Sequence, residues 1–216
     1  MTVAESTDKM KPVEVYAELT PNPDSMKFVT SRILLGEGVA EYISKEEAID
    51  CPLAFQLFDF SGIKRVFITS NFVTITKEGS IDWYDITNIL REFIRGFLLS
   101  GERVFLKSPF KDTTQKPKPA PLPVPGAEKK EPAEAVAYDS QIEEKIKQLL
   151  DEYVRPAVED DGGAIHFQSF ENGIVNVVLK GACSGCPSST STLKGGIENL
   201  LKRLLPEVKE VVAVNE

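Results

Sequence analysis

"SPFKDTTQKPKPAPLPVPGAEKKEPAEAVA", residues 108–137, divides the chain. Seven of the fourteen prolines fall between Pro109 and Pro132, among alanine, lysine and glutamate. Such a stretch has too little apolar surface to bury a core, and its prolines favour an extended, semi-rigid tether. The reading is two modules, residues 1–107 and 138–216, joined by a Pro-rich linker over 108–137. With 216 residues in all, each module is a small domain.

Working outward, the first module opens with "VEVYAEL" (13–19) and "MKFVTSRIL" (26–34), which read as strands around the turn "TPNPDS". A short helix is expected near 51–58, with Pro52 at its first position and Cys51 at the cap. "IKRVFITS" and "FVTITK" alternate like a hairpin around Asn71. "DWYDITNILREFIRGFLLSG" closes the module as a helix whose apolar face is Ile86, Ile89, Leu90, Phe93, Ile94 and Phe97.

The second module opens with "DSQIEEKIKQLLDEYVRPAV", where Ser140 and Glu143 have capping-box spacing. Ile142, Ile146, Leu149, Leu150 and Tyr153 follow as one core stripe. "AIHFQSF" and "IVNVVLK" read as a hairpin across "ENG", followed by a helix from about Ser188 to Leu205 and a last strand, "VKEVVAV". The order is α-β-β-α-β. Both modules are therefore expected to be small α+β domains.

Charge narrows the partners. The net charge is −8, and acidic residues outnumber basic ones in both modules, so neither has the basic face that phosphate backbones require. No run of apolar residues is long enough to span a membrane. "MTVAESTDKMKP" has neither an apolar signal core nor an Arg-rich, acid-poor leader, and a cytoplasmic protein is expected. Three cysteines are too few, and odd in number, for a disulfide scaffold.

The chemistry concentrates in "GACSGCPSSTSTLKGG" (181–196), between the hairpin and the following helix. Gly181 and Gly185 leave room beside Cys183 and Cys186. Pro187 suits a first helical position, which makes Cys186 the N-cap and favours its thiolate. Ser184, Ser188, Ser189 and Thr190 supply small donors for sulfur. The loop suits a soft metal. Two thiolates are half of the four ligands that a zinc site or an iron–sulfur cluster usually takes. Cys51 lies across the linker, and the single histidine, His166, sits mid-strand, where a hydrogen-bonded ring is the expected role. Two copies related by a two-fold axis would supply four cysteines, and a group held in such an open seam should leave easily.

The combined pattern is identified with a known family. "VRPAVEDDGGAIHF" followed by "GACSGCPSSTSTLKGGIENLLKRLLPEVKEVVAV" resembles the NifU C-terminal, or Nfu, domain across residues 139–214. "TPNPDSMKF" and "FDFSGIKRVFITSNFVTITK", within 13–107, are similar to the Nfu N-terminal domain. The resemblance implies a non-enzymatic iron–sulfur carrier with a labile [4Fe-4S] cluster shared between two subunits. Cys183 and Cys186 would be its ligands. A homodimer would form on loading, an assembly scaffold would be the donor, and apo iron–sulfur proteins would be the clients.

Three other readings accompany it. A dithiol oxidoreductase would also place Cys-x-x-Cys between strand and helix, but Ala182 stands where such sites usually carry an aromatic residue. A structural zinc module built by dimerisation would use the same thiolates. Cysteines that merely pack are disfavoured, because the glycine-lined setting is expected to be exposed and inert cysteines prefer apolar enclosure. The turn Asp160–Gly163 reads mainly as an acidic helix exit, and secondarily as a wall of the cysteine loop. Cys51 reads as a helix cap or small hydrophobe, and Trp83 as core or contact.

Overall fold

The computed structural model describes residues 12–107, 133–184 and 187–214. The segment read as a tether lies mostly outside these residues. Both domains are α+β, each a sheet backed by helices.

In the first domain, five antiparallel strands lie in the order β1-β2-β5-β4-β3. They are β1 (Val15–Leu19), β2 (Ser25–Thr30), β3 (Val39–Tyr42), β4 (Ile63–Thr69) and β5 (Phe72–Lys77). The second strand stops at Thr30 rather than running on to Leu34. There the Thr30 hydroxyl donates to Arg32 O at 2.6 Å and turns the chain out of the sheet. β3 was not legible in the sequence: four residues are too few to display a period.

One sheet face buries Phe28, Val66, Ile68, Val73 and Ile75 against two helices, α1 (Pro52–Leu57) and α2 (Trp83–Ser100). Cys51 is the N-cap of α1 and Pro52 its first residue, as expected. α2 starts where the Asp82 carboxylate accepts the Tyr84 amide at 2.9 Å, and it ends at Gly101, whose φ of 78° is left-handed. Its inward face is Leu90, Ile94, Phe97 and Leu98, with Ile86 and Phe93 at the margin. Ile89, expected inside, is 55% exposed, because the stripe drifts toward Leu98 as α2 crosses the sheet.

The opposite sheet face is also covered. Val29, Phe67 and Phe72 pack there on Ala164 of the second domain. β2 is consequently buried at all six positions.

The second domain begins with α3 (Ala133–Leu149), so Ser140 lies inside the helix rather than capping it. "AEAVA" (133–137) contains strong helix formers and nothing that would stop a helix. A π-helical turn follows at Leu150–Val154, then α4 (Arg155–Asp160). The Arg155 amide donates to Leu150 O, five residues back. Pro156 has no amide to donate, which favours this widened turn. The turn resets the buried stripe to Ile142, Ile146, Leu150, Val154 and Val158, a steady spacing of four that a regular α-helix would let drift. Tyr153, expected in the core, is 54% exposed for this reason.

β6 (Gly163–Glu171) and β7 (Ile174–Gly181) form an antiparallel hairpin through Asn172 and Gly173, both at positive φ. α5 (Pro187–Leu204) then returns the chain so that β8 (Glu210–Val214) pairs parallel to β7. Ile197 and Leu201 of α5 seal the core. Among the described residues, no helix is long and apolar enough to cross a membrane.

Candidate functional site

Cys183 stands in the loop between β7 and α5, where sequence reasoning put it. Gly181 leaves the strand at a φ of 68°, and the Ser184 amide closes a tight turn by donating to Gly181 O at 3.1 Å. Pro187 is the first residue of α5. Cys186, the second expected ligand, lies outside the described residues.

The wall of this loop is the Asp160–Gly163 turn, so the secondary reading of that turn is the informative one. Gly162 ends α4 in the left-handed region at a φ of 78°. Its carbonyl accepts the Ala182 amide at 3.2 Å. A Cβ on Gly163 would stand 2.6 Å from Cys183 Sγ and 2.7 Å from Lys180 O. A Cβ on Gly181 would meet Gly162 O at 2.7 Å. Glycine is therefore required where the two segments touch.

Cys183 is only 5% exposed and belongs to the second domain's apolar cluster. The expected open setting is not what folds: Gly163 lets the neighbouring strand close against the sulfur. Burial, and secondarily the Asp161 carboxylate, push the thiol up to about 12. Asp161 is itself raised, chiefly by burial and then by Asp160, while Lys27 opposes the shift. An apolar cleft of about 550 Å³ opens beside the cysteine, lined by Tyr153, Ala157, Ala182, Leu193 and Leu200, with Pro21 at its margin.

The remaining candidates lie apart from this loop. Cys51 is fully buried in the first domain's core, and burial pushes its thiol up to about 11. His166 is half-buried in the middle of β6. Trp83 packs on the first core and donates Nε1–H to Pro23 O at 2.9 Å. Among the described residues, no three His, Cys, Asp or Glu side chains gather as a metal site.

Sequence reasoning missed the first domain's contribution. Asn22 Nδ2 donates to Ala182 O at 3.1 Å, and Glu41 Oε1 accepts the Gly181 amide at 2.9 Å. Thr74 Oγ1 donates to Gly162 O at 2.7 Å, and Lys27 Nζ donates to Asp160 O at 3.2 Å. Arg65 holds Ser184 Oγ and is paired with Glu41 at 3.0 Å. The available signal was Lys27 and Thr74 inside strands that are otherwise rich in large apolar residues.

Two family models match the chain. One is described as a NifU-like domain and covers residues 146–212; the other, scaffold protein Nfu/NifU N terminal, covers 15–101. The human mitochondrial NFU1 iron-sulfur cluster scaffold homolog is 35% identical over 201 residues, covering 93% of this chain and 71% of that protein. NifU-like protein 4, mitochondrial, of Arabidopsis thaliana is 37% identical over 202 residues, covering 91% of this chain and 64% of that protein. The mitochondrial NFU1 homolog of Drosophila persimilis is 38% identical over 202 residues, covering 93% and 64%. The chain thus spans about two thirds of the length of these relatives. All three are named as mitochondrial proteins, which overturns the expectation of a cytoplasmic one. That expectation rested on the make-up of twelve residues, which a trimmed mature form would share. By these matches, the chain belongs to the Nfu/NifU-like family of iron–sulfur cluster scaffold proteins and carries both family domains.

Proposed function

We propose that this protein is an iron–sulfur cluster carrier whose cargo is a [4Fe-4S] cluster held by Cys183 and Cys186 and shared with a second copy. In this reading, the domain that opens with α3 (Ala133–Leu149) is the cluster-binding one, residues 1–107 are the client-facing domain and the proline-rich stretch between them is the tether. An assembly scaffold supplies the cargo, apo iron–sulfur proteins receive it, and the carrier itself catalyses no reaction.

The observation that carries the reading is the approach of Gly163 to Cys183, with 2.6 Å between a would-be Cβ and the sulfur. The strand can close on this sulfur only because residue 163 is glycine. Gly181, which pairs with Gly163 and would otherwise clash with Gly162 O, keeps the two segments in touch beside that thiol in a chain of this family. Each copy contributes two thiolates, half of the four that a cluster usually takes, and a two-fold axis supplies the rest. The residues of this chain set the position of Cys183 through the Ala182–Gly162 and Ser184–Gly181 hydrogen bonds.

Anaerobic loading with iron and sulfide tests it. The expected product absorbs broadly in the visible, has the mass of a dimer and contains about two irons and two sulfides per chain. Cys183→Ser and Cys186→Ser should each abolish it, whereas Cys51→Ser should not. Retained absorption in both loop variants would overturn the assignment.

A further inference from the structure

Among the described residues, five polar contacts run from the first domain to the segments beside Cys183. Asn22 reaches Ala182 O, Glu41 the Gly181 amide, Thr74 Gly162 O, Lys27 Asp160 O and Arg65 the Ser184 hydroxyl. Four of the five engage backbone atoms, so the first domain recognises the shape of the loop rather than its side chains. Val29, Phe67 and Phe72 pack on Ala164 in the same seam. A Cβ on Gly162 would lie 3.0 Å from Thr74 Oγ1, 3.2 Å from Thr20 Cγ2 and 3.3 Å from Lys27 Cβ.

This face of the sheet is built to be covered. Thr74 is fully buried and Lys27 is 7% exposed. Lys27 is compensated by Asp160 O, by Glu18 at 3.2 Å and by the Phe72 ring at 4.8 Å. A buried hydroxyl or ammonium without partners would be strongly disfavoured, and here the second domain supplies the Thr74 acceptor and one of those of Lys27.

We infer that the first domain is a lid on the cysteine loop. Closed, it clamps the backbone on both sides of Cys183 and leaves the residue in the apolar cluster. Opened, it frees Cys183 to reach cargo and a second copy. The seam suits reversal, because its apolar part is small and the rest is hydrogen bonds that water can replace. What is gated rests on the carrier reading; the clamp on the loop around Cys183 does not.

The test uses the full chain, metal-free, with Cys51→Ala and Cys186→Ala so that Cys183 is the only thiol. Its capture by a maleimide near neutral pH should speed up about tenfold or more when Thr74→Val and Glu41→Ala are added. Circular dichroism verifies that both versions are folded. If the double variant does not fold, Asn22→Ala is read in the same way, since it removes one bond to the loop. An unchanged capture rate overturns the lid. With all cysteines restored, the opened variants should also take up iron and sulfide several-fold faster. Faster capture without uptake in any version would reject the carrier reading and leave the lid standing. Unchanged capture with normal uptake would do the opposite.

Discussion

Cys183 Sγ lies 2.6 Å from the point where a Cβ on Gly163 would stand. Real side chains essentially never come so close, so any residue but glycine must push the cysteine loop away or break the β6–β7 register. The second neighbour of that point is Lys180 O, a backbone atom that cannot swing aside. Gly163→Ala should therefore lower stability by about 1–3 kcal/mol. It should also cut cluster uptake far more than that loss explains. Uptake measured at a temperature where the variant is fully folded separates the two effects; unimpaired uptake would remove Gly163 from the site.

The π-helical turn makes a contrast between adjacent residues. Val154 is buried and Tyr153 is 54% exposed. Val154→Ala removes about two buried methyl groups and should cost about 2 kcal/mol. Tyr153→Ala should stay within about 0.5 kcal/mol in the metal-free chain. Urea melts of the two variants decide between the turn and a regular helix, which would reverse the order.

Cys51 and Tyr42 predict a loss of stability in alkali. Burial raises the Cys51 thiol from 9.0 to about 11, and burial, then Cys51, raises the Tyr42 phenol. Both groups hold their protons longer folded than unfolded, so the folded state binds more protons in that window. The Cys51 contribution is complete below pH 9.0 and falls away as pH climbs through about 11, while that of Tyr42 is lost at higher pH still. Stability measured at successive pH values should decline less steeply in Cys51→Ala than in the parent. Equal slopes would mean that the thiol is not shielded.

Glu198 ties α5 to β8. Its carboxylate accepts the Val211 amide at 3.1 Å and pairs with Lys202. The Lys202 hydrogen bond, then that of Val211, holds its pKa below the ordinary value. A depressed carboxylate stabilises above its unfolded pKa and loses that contribution as pH falls through the folded one. Glu198→Gln should flatten the acid limb of the stability profile and leave the neutral spectrum of a loaded protein unchanged. An identical acid limb in both proteins would show the tie to be idle.

Much of this was legible in the chain itself. The proline-rich stretch, the α-β-β-α-β order after it, Pro52 and Pro187 at helix starts and the half-set of cysteines all follow from local chemistry. Proline geometry, turn residues and hydrophobic period act over a few residues, so they can be read in order along the sequence. Tertiary structure alone decided what lies against Cys183. Gly163 meets it across a hairpin, and Asn22, Glu41 and Thr74 reach its flanks from 160, 140 and 88 residues away. No local period records such pairings, because they form only when the two domains meet and bury the polar groups between them.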